Sequence, residues 1–358
     1  MKGETILGEE AYLKLRELLD GLPGGFPATE SGVEMKILKK LFTPEDAETA
    51  LGLTRDPEPP AVIARRCGIG TEEAEDRLLS MASRGLIYRA REGSEALYRA
   101  EQFIVGIYEY QLGTMDREFS ELTEEYIPYL GLAMAGVETL QTRFVPVGSA
   151  VEVSHVVATH DRIRDLVKKQ DILGVKECIC RKQQGLLGNR CEYPLEICLI
   201  FGQFAQYHLE NGWPGRSIDV EEALELLDLS EELGLVLMAE NARDIRFVCS
   251  CCSCCCSGLK IMKVLPNPGE LLHSNYRSVL DADKCDACGV CVERCPMNAV
   301  ASGEESMSID PKRCIGCGVC LSTCRQDAIS FVEREDVAVP PRDSKDTLNR
   351  ILMERGLA

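Results

Sequence analysis

The sequence lacks any run of 18 apolar residues, so no membrane-spanning helix is expected. Its opening stretch, MKGETILGEEAYLKLRELLDG, is broken by Glu4, Glu9 and Glu10, and no secretory signal is expected either. Positive charge is in deficit: Lys+Arg is 40 against Asp+Glu 58, a formal charge of −18. That argues against a dominant nucleic-acid role, because phosphate contacts need local positive charge. There is no Walker A loop and no GxGxxG after a strand, so no nucleotide or flavin site is indicated. Histidine is scarce, and His155, His160, His208 and His273 show no paired metal-ligand spacing. The single tryptophan, Trp213 in NGWPG, reads as a turn anchor.

Cysteine, by contrast, is abundant: 19 residues in a chain of 358. Only Cys67 precedes Cys178, and it reads as a small buried hydrophobe. All the others fall between Cys178 and Cys324. Thiols in these numbers, without an export signal, fit a reducing cytoplasm and metal ligation rather than a disulfide framework. The length is that of two or three domains.

The spacing of Leu7, Ala11, Leu15, Leu18 and Leu22 predicts an amphipathic helix over residues 4–22, stopped by Pro23-Gly24-Gly25. The segment 1–33 is thus a helix and linker. Residues 34–100 then read as helices with a terminal hairpin. Met35, Ile37, Leu38 and Leu41 mark the first helix, and Thr43-Pro44 opens the second. AVIARR forms a third, ending near Gly68, and Thr71 caps a fourth that ends at Gly85. LIYRA and LYRA flank REGSEA as a β-hairpin. This pattern resembles a winged helix-turn-helix domain. In that resemblance Glu72, Glu73, Glu75 and Asp76 face the groove against Arg77 and Arg84, which repels phosphate. Arg65, Arg66, Arg89, Arg91 and Arg99 remain available for backbone contacts. The module reads as a dimerisation or docking unit before a DNA reader.

Residues 101–270 form a helical, then α+β, cysteine-rich region. FIVGIYEYQL and MDREFSELTEEYIPYL read as helices, with Tyr108, Tyr110, Phe119 and Tyr126 as core or interface residues. RFVPV and VEVSHVV read as extended, and DRIRDLVKKQD as a short helix. ILGVKECIC reads as a strand delivering Cys178 and Cys180, and residues 219–240 as helix with Asp219 as cap. From Pro340-Pro341, within 335–358, Leu348, Ile351 and Leu352 predict a tail helix.

The strongest signal is an internal repeat. Cys285, Cys288, Cys291 and Cys295 align with Cys314, Cys317, Cys320 and Cys324, along with Asp281 on Asp310 and Gly289 on Gly318. Each half reads C-x2-C-x2-C-x3-C, the run that binds [4Fe–4S] clusters. Three cysteines at i, i+3 and i+6 can wrap three corners of one cubane, and the fourth reaches the other cluster. A zinc ribbon would use only four of the eight. Residues 276–334 resemble the bacterial two-cluster ferredoxins. The resemblance implies one cluster on Cys285, Cys288, Cys291 and Cys324, and a second on Cys314, Cys317, Cys320 and Cys295. Pro296 follows the fourth cysteine as that family's pattern expects, but Arg325 stands at the equivalent place in the second repeat.

A second cysteine field lies upstream: Cys178, Cys180, Cys191 and Cys198, then the run CSCCSCCC from Cys249 to Cys256. Metal ligation explains so many thiols better than core packing, and an additional iron–sulfur cluster better than zinc. The candidate third site takes Cys178, Cys180, Cys191, Cys198, Cys252 and Cys255, with Arg181, Lys182 and Arg190 offsetting its charge. An unusual cluster, or a catalytic thiol pair beside one, is the alternative. The whole chain resembles multi-cluster ferredoxin-like proteins of anaerobic bacteria, which implies iron–sulfur binding and little else.

The expected protein is therefore a cytoplasmic α+β multidomain carrier of single electrons. It holds two [4Fe–4S] clusters and a third metal site. Its redox partner presents a basic docking face to the acidic holoprotein. A homodimer through the N-terminal region is compatible with the sequence. Two other readings stay open: a redox-sensing regulator using the winged helix, and a disulfide-type reductase acting at residues 249–256.

Overall fold

The computed structural model describes residues 2–358 except 135, 149, 151–157, 159, 160, 272 and 273, and of these the side chains from residue 8 onward apart from that of Leu271. VEVSHVV, His155, His160 and His273 therefore lie outside the described residues, as does the side chain of Leu7.

The N-terminal region is helical, as its periodicity requires. Helix Lys2–Asp20 buries Ala11, Leu15 and Leu19. Helices Val33–Leu41, Pro44–Ala50, Pro60–Cys67 and Thr71–Ser83 follow. Pro44 starts its helix inside a reciprocal capping box, with Thr43 Oγ1 accepting from Asp46 N and Asp46 accepting from Thr43 N. Thr71, expected as a cap, is instead the first helical residue; Gly70 holds the cap position and supplies no side chain. Strands β1 (Tyr88–Glu92) and β2 (Glu95–Arg99) make the antiparallel hairpin.

Residues 103–113 correct the expectation of a continuous helix. Ile104 is extended, Val105 sits at φ 56°, ψ 51°, and only short helical turns form. Gly106 N donates to the Glu109 side chain at 2.8 Å instead of continuing a ladder. Helix Arg117–Ala133 forms in full, capped by Asp116 on Phe119 N, and accommodates Pro128.

The middle region is built on a six-stranded antiparallel sheet in the order β3 (Thr142–Phe144), β7 (Val236–Glu240), β8 (Phe247–Cys251), β5 (Glu196–Phe201), β4 (Leu173–Glu177), β6 (Gly215–Ser217). Residues 219–240 are not one helix. Helix Val220–Glu232 ends at Gly234, whose φ of 73° leaves the helical region, and the apolar run VLMAE pairs between β3 and β8 as a central strand. β4 also ends earlier than expected. Glu177 is its last residue, so Cys180 lies in the first turn of helix Ile179–Leu186.

The C-terminal region has two short strand pairs, β9 (Tyr276–Leu280) with β12 (Ile329–Glu333) and β10 (Val300–Ala301) with β11 (Ser308–Ile309). One apolar core runs from the middle sheet into this region, joining Val147 and Val236 to Tyr276, Val319 and Phe331. The tail helix Ser344–Glu354 docks on its own chain. Ile351 and Leu352 are buried, Thr347 Oγ1 donates to Asn241 O at 2.6 Å, and Arg355 donates to Leu22 O. Trp213 anchors more than its turn. It stacks on Tyr110 at 4.9 Å and donates to Ser83 O at 3.1 Å, joining the middle and N-terminal regions.

Candidate metal centres

The repeat folds into two cavities at the C-terminal end. Cys285, Cys288, Cys291 and Cys324 line one, together with Leu280, Met307 and Ile329. Cys295, Cys314, Cys317 and Cys320 line the other, together with Ser278, Met297 and Ile315. Three thiols of one loop meet the fourth thiol of the other loop in each cavity. The reason is the pairing of β9 with β12, which folds the second repeat back over the first.

Backbone amides are aimed at the sulfurs. Ala299 N donates to Cys295 Sγ at 3.2 Å, and Ala328 N to Cys324 Sγ at 3.3 Å, a matched pair from the repeat. Met307 N donates to Cys285 Sγ at 3.5 Å and Ser278 N to Cys314 Sγ at 3.4 Å. Such donors favour the negative charge of thiolates and of a cluster bound to them.

The cavities differ in exposure. Cys288 is exposed, Cys285 and Cys324 are half-buried, and Asp286 lines that rim, with exposed Asp283 and the Asp281–Lys284 pair (3.4 Å) preceding it in the same loop. Cys314, Cys317 and Cys320 are all buried. The inner loop is held against the middle region, where Val147 N donates to Cys317 O at 3.1 Å and Gly318 lies beside Ala150 and Val147. Burial pushes the Cys320 thiol up to about 12 and holds the Cys317 thiol well above the ordinary range. Ligation at the inner cavity must therefore release protons as metal enters.

The cysteines of the middle region do not converge at one point. Cys178, Cys180 and Cys198 group with Cys249, Cys251 and Cys256 in a closed ring of electrostatically interacting thiols: 178 with 180, 180 with 256, 256 with 251, 251 with 249, 249 with 198, 198 with 178. Cys191, Cys252 and Cys255 stand apart with Cys254, their four sulfurs all within 4.8 Å of one another. The expected set of Cys178, Cys180, Cys191, Cys198, Cys252 and Cys255 is thus divided between two groups, and Cys249, Cys251, Cys254 and Cys256 complete them.

Strand register explains the ring. Leu199 pairs with Val248, which sets Cys198 opposite Cys249. Cys249 and Cys251 are two apart on β8 and so share a face. Cys178 leaves the end of neighbouring β4. The C-x-C spacing at the end of the strand FVCSC was the available signal for Cys249 and Cys251.

Within the ring, interaction with Cys180 and Cys198 holds the Cys178 thiol well below the usual range, and those two neighbours are correspondingly raised. Arg181 lies between the two groups. Burial works against its charge, but interaction with the sulfurs of Cys178, Cys252 and Cys198 raises its pKa above the ordinary value. Its guanidinium donates to Pro194 O at 2.6 Å and Ser250 O at 2.7 Å. Six thiols, four of them buried and two half-buried, beside a fixed cation suit an anionic metal cluster.

The basic residues of the N-terminal hairpin are engaged elsewhere. Arg89 and Arg91 both pair with Glu210, at 2.8 and 2.9 Å, and Arg99 with Glu101 at 3.2 Å. Arg66 pairs with Glu58 and Arg84 with Asp46. Tyr88 packs edge-on against Tyr207, so β1 rests on helix Gly202–Glu210. Glu72, Glu73, Glu75 and Asp76 are exposed on the preceding helix.

None of the described helices is long and apolar enough to cross a membrane. No curated protein and no solved structure matches the chain. Residues 277–325 match the family described as the 4Fe-4S dicluster domain, so the C-terminal region is a ferredoxin-type iron–sulfur domain.

Proposed function

We propose that this chain is a multi-centre electron carrier: two [4Fe–4S] clusters in the C-terminal domain and a further iron–sulfur cluster in the six-thiol ring. The supporting observation is the pair of cavities, each lined by three cysteines of one repeat and the fourth of the other. When bound, such clusters supply reversible one-electron chemistry. The chain holds the charge through the amides on Cys285, Cys295, Cys314 and Cys324, and excludes water from the inner cavity by burying Cys314, Cys317 and Cys320. The rim at Cys288 is the docking face. Its acidic residues favour a partner with a basic surface and make association salt-dependent. The inner cavity, pressed against Val147 and Ala150, is the side from which electrons continue into the middle region.

The front of the chain resembles a winged helix and works as a docking module, because its hairpin arginines are ion-paired to the chain's own carboxylates. It is expected to show no salt-dependent binding to duplex DNA. A cytoplasm kept reducing and poor in oxygen suits so many thiols.

The test is iron and acid-labile sulfide per chain on protein prepared without oxygen, with reduction by a basic low-potential donor protein followed at rising salt. The reading expects more than eight irons, and a reduction rate that falls as salt rises. Eight irons or fewer would remove the cluster in the ring. A rate indifferent to salt would remove the acidic docking face. Six thiolates exceed the four that one cubane needs. About twelve irons would leave two ring thiols free for acceptor chemistry, while about sixteen would require a cluster larger than one cubane.

A further inference from the structure

The four thiols outside the ring have dimensions of their own. Cys191 Sγ lies 3.8 Å from Cys252 Sγ and 3.7 Å from Cys254 Sγ, and Cys254 Sγ lies 3.7 Å from Cys255 Sγ. Four sulfurs placed about 2.3 Å from one central ion, at the corners of a tetrahedron, stand about 3.8 Å apart. A cubane cannot be bound at that spacing. It sets its thiolates on the outside of a cage of four irons, so that neighbouring sulfurs stand well beyond contact. The three contacts match the edges of a tetrahedron around a single ion, and all four sulfurs lie within 4.8 Å of one another.

We infer that Cys191, Cys252, Cys254 and Cys255 form a mononuclear zinc site, separate from every iron–sulfur centre of the chain. Four thiolates leave no open position, which is the arrangement of a structural site rather than a catalytic one. Its place in the chain shows what it holds. Cys191 comes from the loop after helix Ile179–Leu186, the element that carries Cys180 of the ring. Cys252, Cys254 and Cys255 come from the turn between Cys251 and Cys256, also of the ring. An ion there fastens together the two segments that supply Cys180, Cys251 and Cys256 of the ring. The chain alternates between the sites: 251 to the ring, 252, 254 and 255 to the zinc, 256 back to the ring. The inference does not depend on iron occupying the ring.

The experiment uses the full chain, purified without oxygen from medium containing both metals. Zinc and iron are counted per chain, and zinc X-ray absorption reads the ligands. One zinc with four sulfur neighbours at about 2.3 Å is expected. Cys254→Ser is the cleanest variant, because Cys254 is exposed and touches no ring thiol. It should lose at least nine-tenths of the zinc, keep iron and sulfide at the wild-type count, and unfold at lower temperature. Cys191→Ser, on the other segment, should do the same. No zinc in the wild type overturns the inference, whether a fall of four irons in the variants shows a cubane, one iron with a tetrathiolate spectrum takes the place, or thiol counting finds a disulfide. The wild-type absorption spectrum decides the matter even if both variants fail to fold.

Discussion

The internal repeat is asymmetric at one backbone position, and that asymmetry yields a quantitative prediction. Ala287 and Gly316 are equivalent positions, and both adopt left-handed backbone, at φ 57° and φ 65°. The outer loop tolerates a Cβ there and the inner loop does not. A Cβ on Gly316 would lie 2.1 Å from Ser274 Oγ and 2.2 Å from Tyr276 O, and the Tyr276 carbonyl cannot withdraw without moving the start of β9. Gly316→Ala therefore incurs about 1–2 kcal/mol for left-handed backbone and about 1–3 kcal/mol for overpacking. The combined loss of about 2–5 kcal/mol falls on the inner cavity, because β9 carries Ser278, whose amide donates to Cys314. At about 1.4 kcal/mol per tenfold, inner-site occupancy should weaken by between about thirtyfold and a few thousandfold. Gly289→Ala is the control. Its φ is 79° but a Cβ there meets nothing within 4 Å, so only the backbone cost applies. Iron and sulfide analysis, with integrated paramagnetic resonance of the reduced protein, should show Gly316→Ala lacking one cubane while Gly289→Ala keeps both. Equal iron content and equal spin in the two variants would refute the reasoning.

Three further outcomes are expected. Arg325 is exposed beside Cys324 in the repeat position where Pro296 stands, so Arg325→Pro should lower the potential of the outer cluster alone; unchanged potentials in a redox titration would count against a charge effect. His208 is fully buried, with Nε2 3.0 Å from Pro214 O, and burial lowers its pKa to about 4. The unfolded chain takes up a proton there below about pH 6.5 and the folded chain does not, so stability present above 6.5 is lost as pH falls towards 4, by about 3 kcal/mol; His208→Gln should flatten that part of the denaturant-midpoint profile, and an unaltered slope would contradict it. Arg355→Ala removes the donor to Leu22 O and the contact with Asp20 at 3.5 Å; the loss of about 1–2 kcal/mol should expose residues 340–358 to protease with iron content unchanged, and unchanged proteolysis would show the contact to be idle.

The repeat was legible because cluster ligation forces a fixed spacing, and each spacing reads directly onto one loop. The division of the middle cysteines was not legible. It depends on cross-strand register, which places Cys198 opposite Cys249, and on a turn that sends Cys251 and Cys252 to different sites. Neither follows from a dense run such as CSCCSCCC. Helices with an apolar stripe and a cap, such as Pro44–Ala50 and Arg117–Ala133, were readable locally. Residues 103–113 were not, because helical spacing of aromatics there reflects burial of Phe103, Tyr108 and Tyr110 from irregular backbone. The strand VLMAE was hidden for a related reason: central strands are apolar on both faces and carry no alternation. The burial of the hairpin's Arg89 against Glu210 is a long-range contact, and local pattern carries no information about it.

The most direct test of the account is the iron count of two variants of the oxygen-free protein. Cys317→Ser removes a ligand of the inner cavity alone, and Cys249→Ser removes a ligand of the ring alone. The account predicts that each variant loses iron and sulfide independently, and that a double variant loses the sum. Iron unchanged in Cys249→Ser, with no more than eight irons in the wild type, would contradict the multi-centre carrier and confine the clusters to the C-terminal domain.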